Sequence, residues 1–262
     1  MWVETLFALI FGLLWGSFAN VVIYRQPKGL NVAFPRSRCP QCSTPIAWYD
    51  NVPVLSWLIL RGRCRKCKTP ISIQYPIVEL ITGLLFAAIF YHYAFSWLTL
   101  EYMIFAWGLV VVSFIDLELM ILPDVFTLSG IVIGLIGAAL NPERSFQSAL
   151  LGVLMGGGFL WLVAYLYLLV RKEEGMGGGD IKLLGWIGAV LGWTSIPFVV
   201  LVSSILGSIV GLGLAVRSKT GLKSVIPFGP YLALAALIYI LGGEKLGLWY
   251  IGLFLPAYVP AN

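Results

Sequence analysis

Charged residues are scarce in this chain, and the shortage decides its class. Of 262 residues only 11% are Asp, Glu, Lys or Arg, whereas 60% are hydrophobic and the mean hydropathy is +0.92. A soluble domain carries about 25% charged residues, which cover its surface. The composition therefore excludes a soluble enzyme, a disordered segment, a coiled coil and a disulfide-rich secreted scaffold. It predicts a polytopic membrane protein.

Basic residues are absent from most of the chain. Nine of the 17 Lys and Arg residues lie between Arg25 and Lys68, in the one long polar stretch. Lys and Arg are retained on the cytoplasmic side of membrane proteins, so this clustering indicates orientation, and nucleic acid is not expected as a partner. The first 24 residues carry Glu4 as their only charge and lack the basic start of a secretory signal. We interpret them as a retained helix.

Charge-free runs long enough to cross a membrane recur along the chain, since a spanning helix needs roughly 20 apolar residues. The longest run, 183–216, is too long for one helix, and Gly192, Trp193 and Pro197 predict a break within it. The sequence thus predicts an all-α membrane protein with about eight transmembrane helices. A further apolar piece, 246–259, either crosses the membrane or lies along it. The predicted spans are 5–24, 80–100, 102–115, 125–142, 145–170, 183–216 as two helices, and 224–243.

The distribution of basic residues predicts the topology. Alternating the spans from an outside N-terminus places the polar stretch and the turn 116–124 in the cytoplasm. This divides the chain into a first transmembrane helix, 1–24, a cytoplasmic loop domain, 25–75, and a membrane domain, 76–255.

Cysteine is confined to the cytoplasmic loop. Cys39, Cys42, Cys64 and Cys67 form a C-x2-C-x21-C-x2-C pattern, and two such pairs close a tetrahedral thiolate site around zinc. Two disulfides are the alternative, which a reducing cytoplasm disfavours. The loop has too few apolar residues to form a hydrophobic core of its own, so it needs a cross-link such as a structural metal ion to stay folded. We expect one structural zinc ion per chain, with folding coupled to binding.

Acidic residues at membrane depth are the candidate catalytic groups, because an ionisable side chain there is costly. Asp116 follows an apolar helix, and Asp180 ends the run Gly175-Met-Gly-Gly-Gly-Asp, whose glycines permit close backbone approach and unusual dihedral angles. Two aspartates at one membrane face fit aspartic proteolysis, in which they share one proton. Helix N-capping is the alternative for Asp180 and for Asp124. Proton-coupled transporters also bury paired acids.

Five stretches, in one order along most of the chain, carry a resemblance to a known family. They are residues 16–25, 36–80 and 116–124 and the motifs Gly177-Gly-Gly-Asp-Ile-Lys-Leu-Leu and Pro227-Phe-Gly-Pro. In these stretches the chain resembles the type IV prepilin leader peptidases. These are bifunctional Gly-x-Gly-Asp membrane aspartic proteases that serve type IV pili and type II secretion.

The resemblance implies two activities. Members of the family cleave a basic leader from prepilins and prepilin-like pseudopilins after a glycine, and then N-methylate the new N-terminal residue with S-adenosylmethionine. It implies that Asp116 and Asp180 are catalytic, that Asp124, Gly177 and Gly179 support them, and that the four cysteines bind zinc. It also implies a multi-pass enzyme of the bacterial inner membrane, in contact with its lipids, with the active site and zinc loop facing the cytoplasm.

The methyl-donor site is not marked by a motif, because the chain has no Rossmann-like glycine fingerprint between a strand and a helix. The candidate region is 25–79, whose only acids are Asp50 and Glu79. Asp50 is expected to be solvated in a turn. Glu79, one turn into a span, is the candidate cofactor-binding residue.

Two other functions stay open at this point. A Gly-x-Gly-Asp protease without methyl transfer is disfavoured by the complete cysteine loop. A proton-coupled transporter predicts inverted repeats, and no Asp motif is repeated in that way. If the chain is a prepilin peptidase, four acids are expected to attract the basic leader. These acids are Glu118, Asp124, Glu173 and Glu174.

Overall fold

The computed structural model describes residues 2–173, 177–217 and 226–252, and within these ranges the chain is helical without β-strands. The helices of the described residues are α1 (Trp2–Arg25), α2 (Leu55–Ile59), α3 (Gln74–Tyr93), α4 (Trp97–Leu119), α5 (Asp124–Leu140), α6 (Phe146–Arg171), α7 (Gly178–Leu191), α8 (Ser195–Arg217), α9 (Gly229–Ile238) and α10 (Glu244–Gly252). A π-helical turn, Tyr239–Gly243, joins α9 to α10. The predicted apolar piece 246–259 extends beyond the described residues.

The helices confirm the predicted class of an all-α membrane protein. Within the part of the chain that the structure describes, six segments are long and apolar enough to cross a membrane. They are Trp2–Lys28, Gln74–Tyr93, Trp97–Leu119, Phe146–Arg171, Ser195–Leu214 and Gly229–Trp249. The apolar helix α5 is shorter, and α7, with 14 residues, is only about 21 Å long. Eight helices therefore occupy the positions of the eight predicted spans, but the count of eight crossings is approximate.

One predicted boundary between spans is wrong. The charge pattern predicts a division between the second and third spans at Glu101, whereas α3 ends at Tyr93 and Glu101 lies inside α4. Ala94 adopts φ 52° and ψ −150°, and the Ser96 hydroxyl accepts a hydrogen bond from the Thr99 N–H at 3.1 Å. Local capping ends one helix and starts the next, while a single acid is accommodated within a helix. The predicted break in the longest run is confirmed at Gly192, where φ is 80°.

Residues Met1–Ile115 form one compact unit, in which α1 packs along α3. The contact depends on small residues. A Cβ added at Gly12 would lie 2.8 Å from the Gly83 Cα, and one at Gly16 would lie 2.6 Å from the Glu79 Cα. The Asn20 side chain also donates a hydrogen bond to the Tyr75 carbonyl at 3.0 Å. Residues of the 16–25 stretch thus hold α1 against the start of α3, where Glu79 lies.

Residues Asp116–Asn262 form the second unit, and α7 is the most enclosed helix described in it. Every residue from 183 to 190 is buried, with α5, α6, α8 and α9 packed around the helix. Glycine allows the closest of these approaches, since a Cβ at Gly152 on α6 would lie 2.2 Å from the Gly188 carbonyl oxygen on α7. This packing fixes the N-terminal end of α7, which carries Asp180.

We expect the Gly152→Ala variant to be destabilised by about 1–3 kcal/mol, because the added methyl group overpacks the α6–α7 contact. Thermal unfolding of the purified protein in detergent measures the effect. The matched control is Gly158→Ala on the same helix, where an added Cβ meets no atom within 4 Å. Equal unfolding temperatures for the two variants would contradict the close contact.

Candidate active site and metal centre

The four cysteines converge on one point in the loop between α1 and α3. Their Sγ atoms all lie within 4.8 Å of one another, the four thiols are free of disulfides, and the Cys39 and Cys67 sulfurs are 3.7 Å apart. A tetrahedral site with Zn–S distances of about 2.3 Å requires S···S separations of about 3.8 Å. The cluster therefore has the dimensions and donor set to hold a metal ion, and its four protein ligands would complete the coordination of zinc.

The two cysteine pairs are presented by the same eight-residue turn. The segments are Arg38-Cys-Pro-Gln-Cys-Ser-Thr-Pro and Arg63-Cys-Arg-Lys-Cys-Lys-Thr-Pro. In the first, the Cys39 N–H donates to the Thr44 carbonyl at 3.0 Å, and the equivalent bond in the second is 2.9 Å. The residue after the second cysteine has a positive φ in both turns, 55° and 61°. This repeat is visible in the sequence as a second signal of the site, beside the spacing of the cysteines.

The thiols of the cluster differ in how readily they ionise. The Thr69 hydroxyl and backbone lower the pKa of the Cys67 thiol to about 6. Backbone hydrogen bonds from Cys42 and Gln41 lower the pKa of Cys39, but burial and the neighbouring Cys42 and Cys67 thiols outweigh them and raise it to about 11. Clustered thiols cannot all ionise on their own, whereas a metal ion binds the thiolate form.

An ion pair ties the second cysteine turn to the preceding segment. The Arg65 guanidinium donates to both Asp50 oxygens, with Nη2–Oδ1 2.6 Å and Nε–Oδ2 2.8 Å. The Asp50 side chain is only 11% exposed, and hydrogen bonding from Arg65 lowers its pKa. The expectation that Asp50 is solvated is therefore wrong. The sequence does not predict this pair, because only the folding of the cysteine turn brings Arg65 close to Asp50.

Glu79 is buried within the first unit and accepts hydrogen bonds there. Its Oε2 accepts from the Val54 N–H at 2.7 Å, and the Ser17 hydroxyl also bonds the carboxylate. Val54 has φ 59° and ψ −51°, and the Leu55 N–H reaches the Pro53 carbonyl at 2.6 Å. These features define a γ-turn centred on a β-branched residue, an uncommon and strained conformation. A buried acid thus holds a strained turn of the loop.

The structure brings Asp116 and Asp180 together. Asp116 lies in the last turn of α4 and is buried, with 5% of its surface exposed, and Asp180 lies in the first turn of α7. Their carboxyl groups are close enough to interact electrostatically. Asp180 does not cap α7, since the N-cap is Gly177 and the cap has no side-chain hydrogen bond. The pair has the elements of an aspartic-protease dyad.

A third segment meets the dyad at Asp116. The Gly229 N–H, at the start of α9, donates to the Asp116 Oδ2 at 3.2 Å. The side chain of Leu122 packs between glycines of two motifs, 2.9 Å from a Cβ built on Gly179 and 3.2 Å from one built on Gly229. The Gly-x-Gly-Asp motif, the Asp116 turn and the Pro-Phe-Gly-Pro motif therefore converge. The last of these motifs carries part of the family resemblance, but the sequence alone does not predict its position beside Asp116.

The predicted supporting glycines differ in their surroundings. A Cβ at Gly179 would collide with Leu122, as close approach requires, whereas a Cβ at Gly177 would meet no atom within 4 Å. Gly177 has φ −68°, which any residue adopts. The expectation of close backbone approach or unusual dihedral angles is therefore met at Gly179 and not at Gly177.

Asp124 pairs with a lysine beside the dyad. It is the first residue of α5, where no side chain caps the helix, and its Oδ1 lies 2.6 Å from the Lys182 Nζ. Both side chains are partly exposed, so the pair contributes at most about 1 kcal/mol. Of the acids expected to attract a basic leader, Glu118 and Glu173 are exposed, while Glu174 lies outside the described residues.

The sequence matches two profiles that together cover most of the chain. Residues 10–93 match the profile described as Bacterial Peptidase A24 N-terminal domain, and residues 103–212 match that of the Type IV leader peptidase family. The four cysteines and Glu79 fall in the first match, and Asp116 and Asp180 in the second.

Relatives match over nearly the whole length. A protein of Aeromonas hydrophila is 41% identical, with 97% of this chain and 96% of the relative covered. Proteins of Stutzerimonas stutzeri and Pseudomonas aeruginosa are 39% and 38% identical, each over 93% of this chain and 92% of the relative. All three are named prepilin leader peptidase/N-methyltransferase.

The chain belongs to the type IV leader peptidase family. The resemblance found in the sequence is confirmed, and the family is one of membrane proteases and methyltransferases. No solved structure shows a significant match. Gly229 lies outside the residues 103–212 that match the family profile. Its N–H nevertheless forms a hydrogen bond with Asp116, one of the paired acids.

Proposed function

We propose that this enzyme cleaves the leader from type IV prepilins and pseudopilins after a glycine and N-methylates the new N-terminal residue with S-adenosylmethionine. The observation that carries the proposal is the meeting of Asp116 and Asp180 in a chain 41% identical to a prepilin leader peptidase/N-methyltransferase. Two details of the proposal, the glycine at the cut site and S-adenosylmethionine as the methyl donor, are inferred from the resemblance of the motifs to the family.

In the proposed cleavage step, Asp116 and Asp180 share one proton, since two adjacent carboxylates resist simultaneous ionisation. The ionised carboxylate removes a proton from water, and the resulting hydroxide attacks the carbonyl carbon of the peptide bond after glycine. The protonated carboxyl group donates a hydrogen bond to the carbonyl oxygen. Collapse of the tetrahedral intermediate, with a proton delivered to nitrogen, releases the leader as an acid and the mature protein as an amine.

We expect Asp116→Asn and Asp180→Asn each to lower the rate of prepilin cleavage on the order of 10³-fold or more, because an amide can neither take nor share the proton. Cleavage by purified protein in detergent is the measurement. The control is Glu143→Gln, which removes an exposed acid between α5 and α6 and should leave cleavage unchanged. Wild-type turnover by either Asn variant would eliminate the dyad.

A structural zinc ion is proposed for Cys39, Cys42, Cys64 and Cys67. The fit of the sulfur positions to a closed tetrahedral site supports it, as does the small apolar content of the loop. With all four positions filled by protein, the ion would hold the loop rather than contact substrate.

We expect about one zinc per chain by metal analysis, and a Cys39→Ser or Cys64→Ser variant should lose both the zinc and the protection of loop 25–75 from protease. The matched control is Ser43→Ala, which lies in the same cysteine turn, removes no thiol and should retain zinc. Full loop protection in a zinc-free protein would contradict a metal-dependent fold.

The Glu79 carboxylate is the proposed contact for the methyl-transfer reaction. A buried acid beside a strained turn is typical of a functional site, and its negative charge suits either the cationic methyl donor or the amine of the cleaved substrate. The four cysteines and Glu79 lie in the same compact unit, Met1–Ile115.

We expect Glu79→Gln to lower methylation of an already cleaved peptide by about tenfold or more while prepilin cleavage continues. The amide oxygen can still accept the Val54 N–H, so this variant removes the charge and keeps the loop. Glu79→Ala also leaves that N–H unpaired, at a cost of about 1–3 kcal/mol, and should lower the unfolding temperature as well. Undiminished methylation by Glu79→Gln would exclude the carboxylate from the reaction.

The proposal includes an orientation. The concentration of Lys and Arg between Arg25 and Lys68 supports a cytoplasmic position for the loop domain 25–75, between the first helix 1–24 and the membrane domain 76–255, in the bacterial inner membrane. The exposed acids Glu118 and Glu173 suit a substrate whose leader is basic.

A further inference from the structure

The hydrogen bond between Gly229 and Asp116 joins residues 113 positions apart in the chain. The donor is a backbone N–H in the first turn of α9, a helix of 10 residues, and Pro230 follows it at the helix start. Pro230 has no N–H group. The acceptor is a carboxyl oxygen of the proposed dyad, and the contact is buried.

We propose that Gly229 is a positioning residue of the proteolytic site, whose N–H orients the Asp116 carboxylate and whose lack of a side chain leaves room for it. The proposal rests on the proposed prepilin cleavage by Asp116 and Asp180. It gives the Pro227-Phe-Gly-Pro motif a task in the cleavage step, acting through Asp116 without contact to the reacting bond.

The bond has two physical effects on Asp116. A hydrogen bond from a fixed backbone group selects one orientation of the carboxylate, and hydrogen bonds to an ionised acceptor are stronger than those between neutral groups. The partial positive charge at a helix N-terminus acts in the same direction and stabilises an anion. Both effects act on the ionised form of Asp116, which is the form that takes a proton from water.

Only glycine fits at this position. A Cβ on residue 229 would lie 2.6 Å from the Asp116 Oδ2, well inside van der Waals contact, and 3.2 Å from the Leu122 Cδ2. The carboxylate oxygen belongs to a residue in the last turn of α4, so it can move away only by giving up the bond or its orientation. The steric and hydrogen-bonding requirements therefore concern the same oxygen atom.

Two variants separate these requirements. Glycolic acid incorporated at position 229 replaces the N–H with an ester oxygen and adds no side chain, and we expect kcat for prepilin cleavage to fall about tenfold or more with KM unchanged. Gly229→Ala adds the methyl group and should lower kcat by about 100-fold. Both variants should methylate a pre-cleaved peptide at the wild-type rate, a result that general misfolding would not give.

Two further variants test whether the effect passes through Asp116. Gly207→Ala is the control, because its Cβ meets Phe228 at an ordinary 3.5 Å, and it should retain wild-type kcat. Combining Gly229→Ala with Leu122→Ala removes the clash with Leu122 only, so kcat should stay low. Recovery of kcat in the double variant, or wild-type kcat in the ester variant, would overturn the inference.

The failure of the inference differs from the failure of the proposed function. If the wild-type protein cleaves prepilin and Asp116→Asn does not, an active ester variant rejects the role of Gly229 and leaves the dyad intact. If the wild-type protein does not cleave prepilin, or Asp116→Asn cleaves it normally, both the proposed function and the inference are wrong.

Discussion

A carboxylate buried in a protein must find hydrogen-bond donors there, because burial removes most of the water that would solvate it. Two buried acids of this chain meet the requirement in the same way. Asp116 accepts the Gly229 N–H at 3.2 Å, and Glu79 accepts the Val54 N–H at 2.7 Å. A backbone donor cannot change rotamer, so each carboxylate is oriented by the path of a distant main chain. The position of the acid is therefore a property of the fold as a whole.

Such contacts explain why glycine accompanies these acids. A Cβ at Gly229 would meet the Asp116 carboxylate, and a Cβ at Gly16 would lie 2.6 Å from the Glu79 Cα. In both cases one chain segment approaches another more closely than any side chain permits. The same condition brings α6 onto α7 at Gly152 and so holds the helix that carries Asp180. Glycine in this protein serves close approach between segments more than unusual dihedral angles.

The sequence predicts those features that depend on composition or local spacing. Scarcity of charge identifies the membrane class, two cysteine pairs predict the metal centre, and acids at the ends of apolar runs mark Asp116 and Asp180. The contacts that orient the acids are not predictable in this way. Nothing in the sequence near Asp116 indicates a donor at Gly229, and nothing near Glu79 indicates the strained turn at Val54, because both depend on how remote segments pack.

The predictions that are wrong at single residues also fail because of contacts that the sequence does not reveal. Counting charges places a helix boundary at Glu101, although capping by Ser96 and the backbone of Ala94 decide where α3 and α4 meet. Asp50 is polar and lies in a turn, which suggests solvation, but the cysteine turn presents Arg65 to it. In each case a specific partner outweighs the average preference of the residue type. Scales of hydropathy and of secondary-structure propensity contain no information about such specific contacts.

The two proposed reactions occur in a fixed order for a chemical reason. The nitrogen lone pair of a peptide bond is delocalised into the carbonyl group, so it cannot attack a methyl donor until the bond is broken. In the proposed mechanism the amine is created by cleavage at Asp116 and Asp180, which lie in the unit Asp116–Asn262. Glu79 and the four cysteines lie in the unit Met1–Ile115, so the dyad and the proposed methyl-transfer site occupy different parts of the fold. The enzyme needs no switch to prevent early methylation, since an intact prepilin has no amine at that position to methylate.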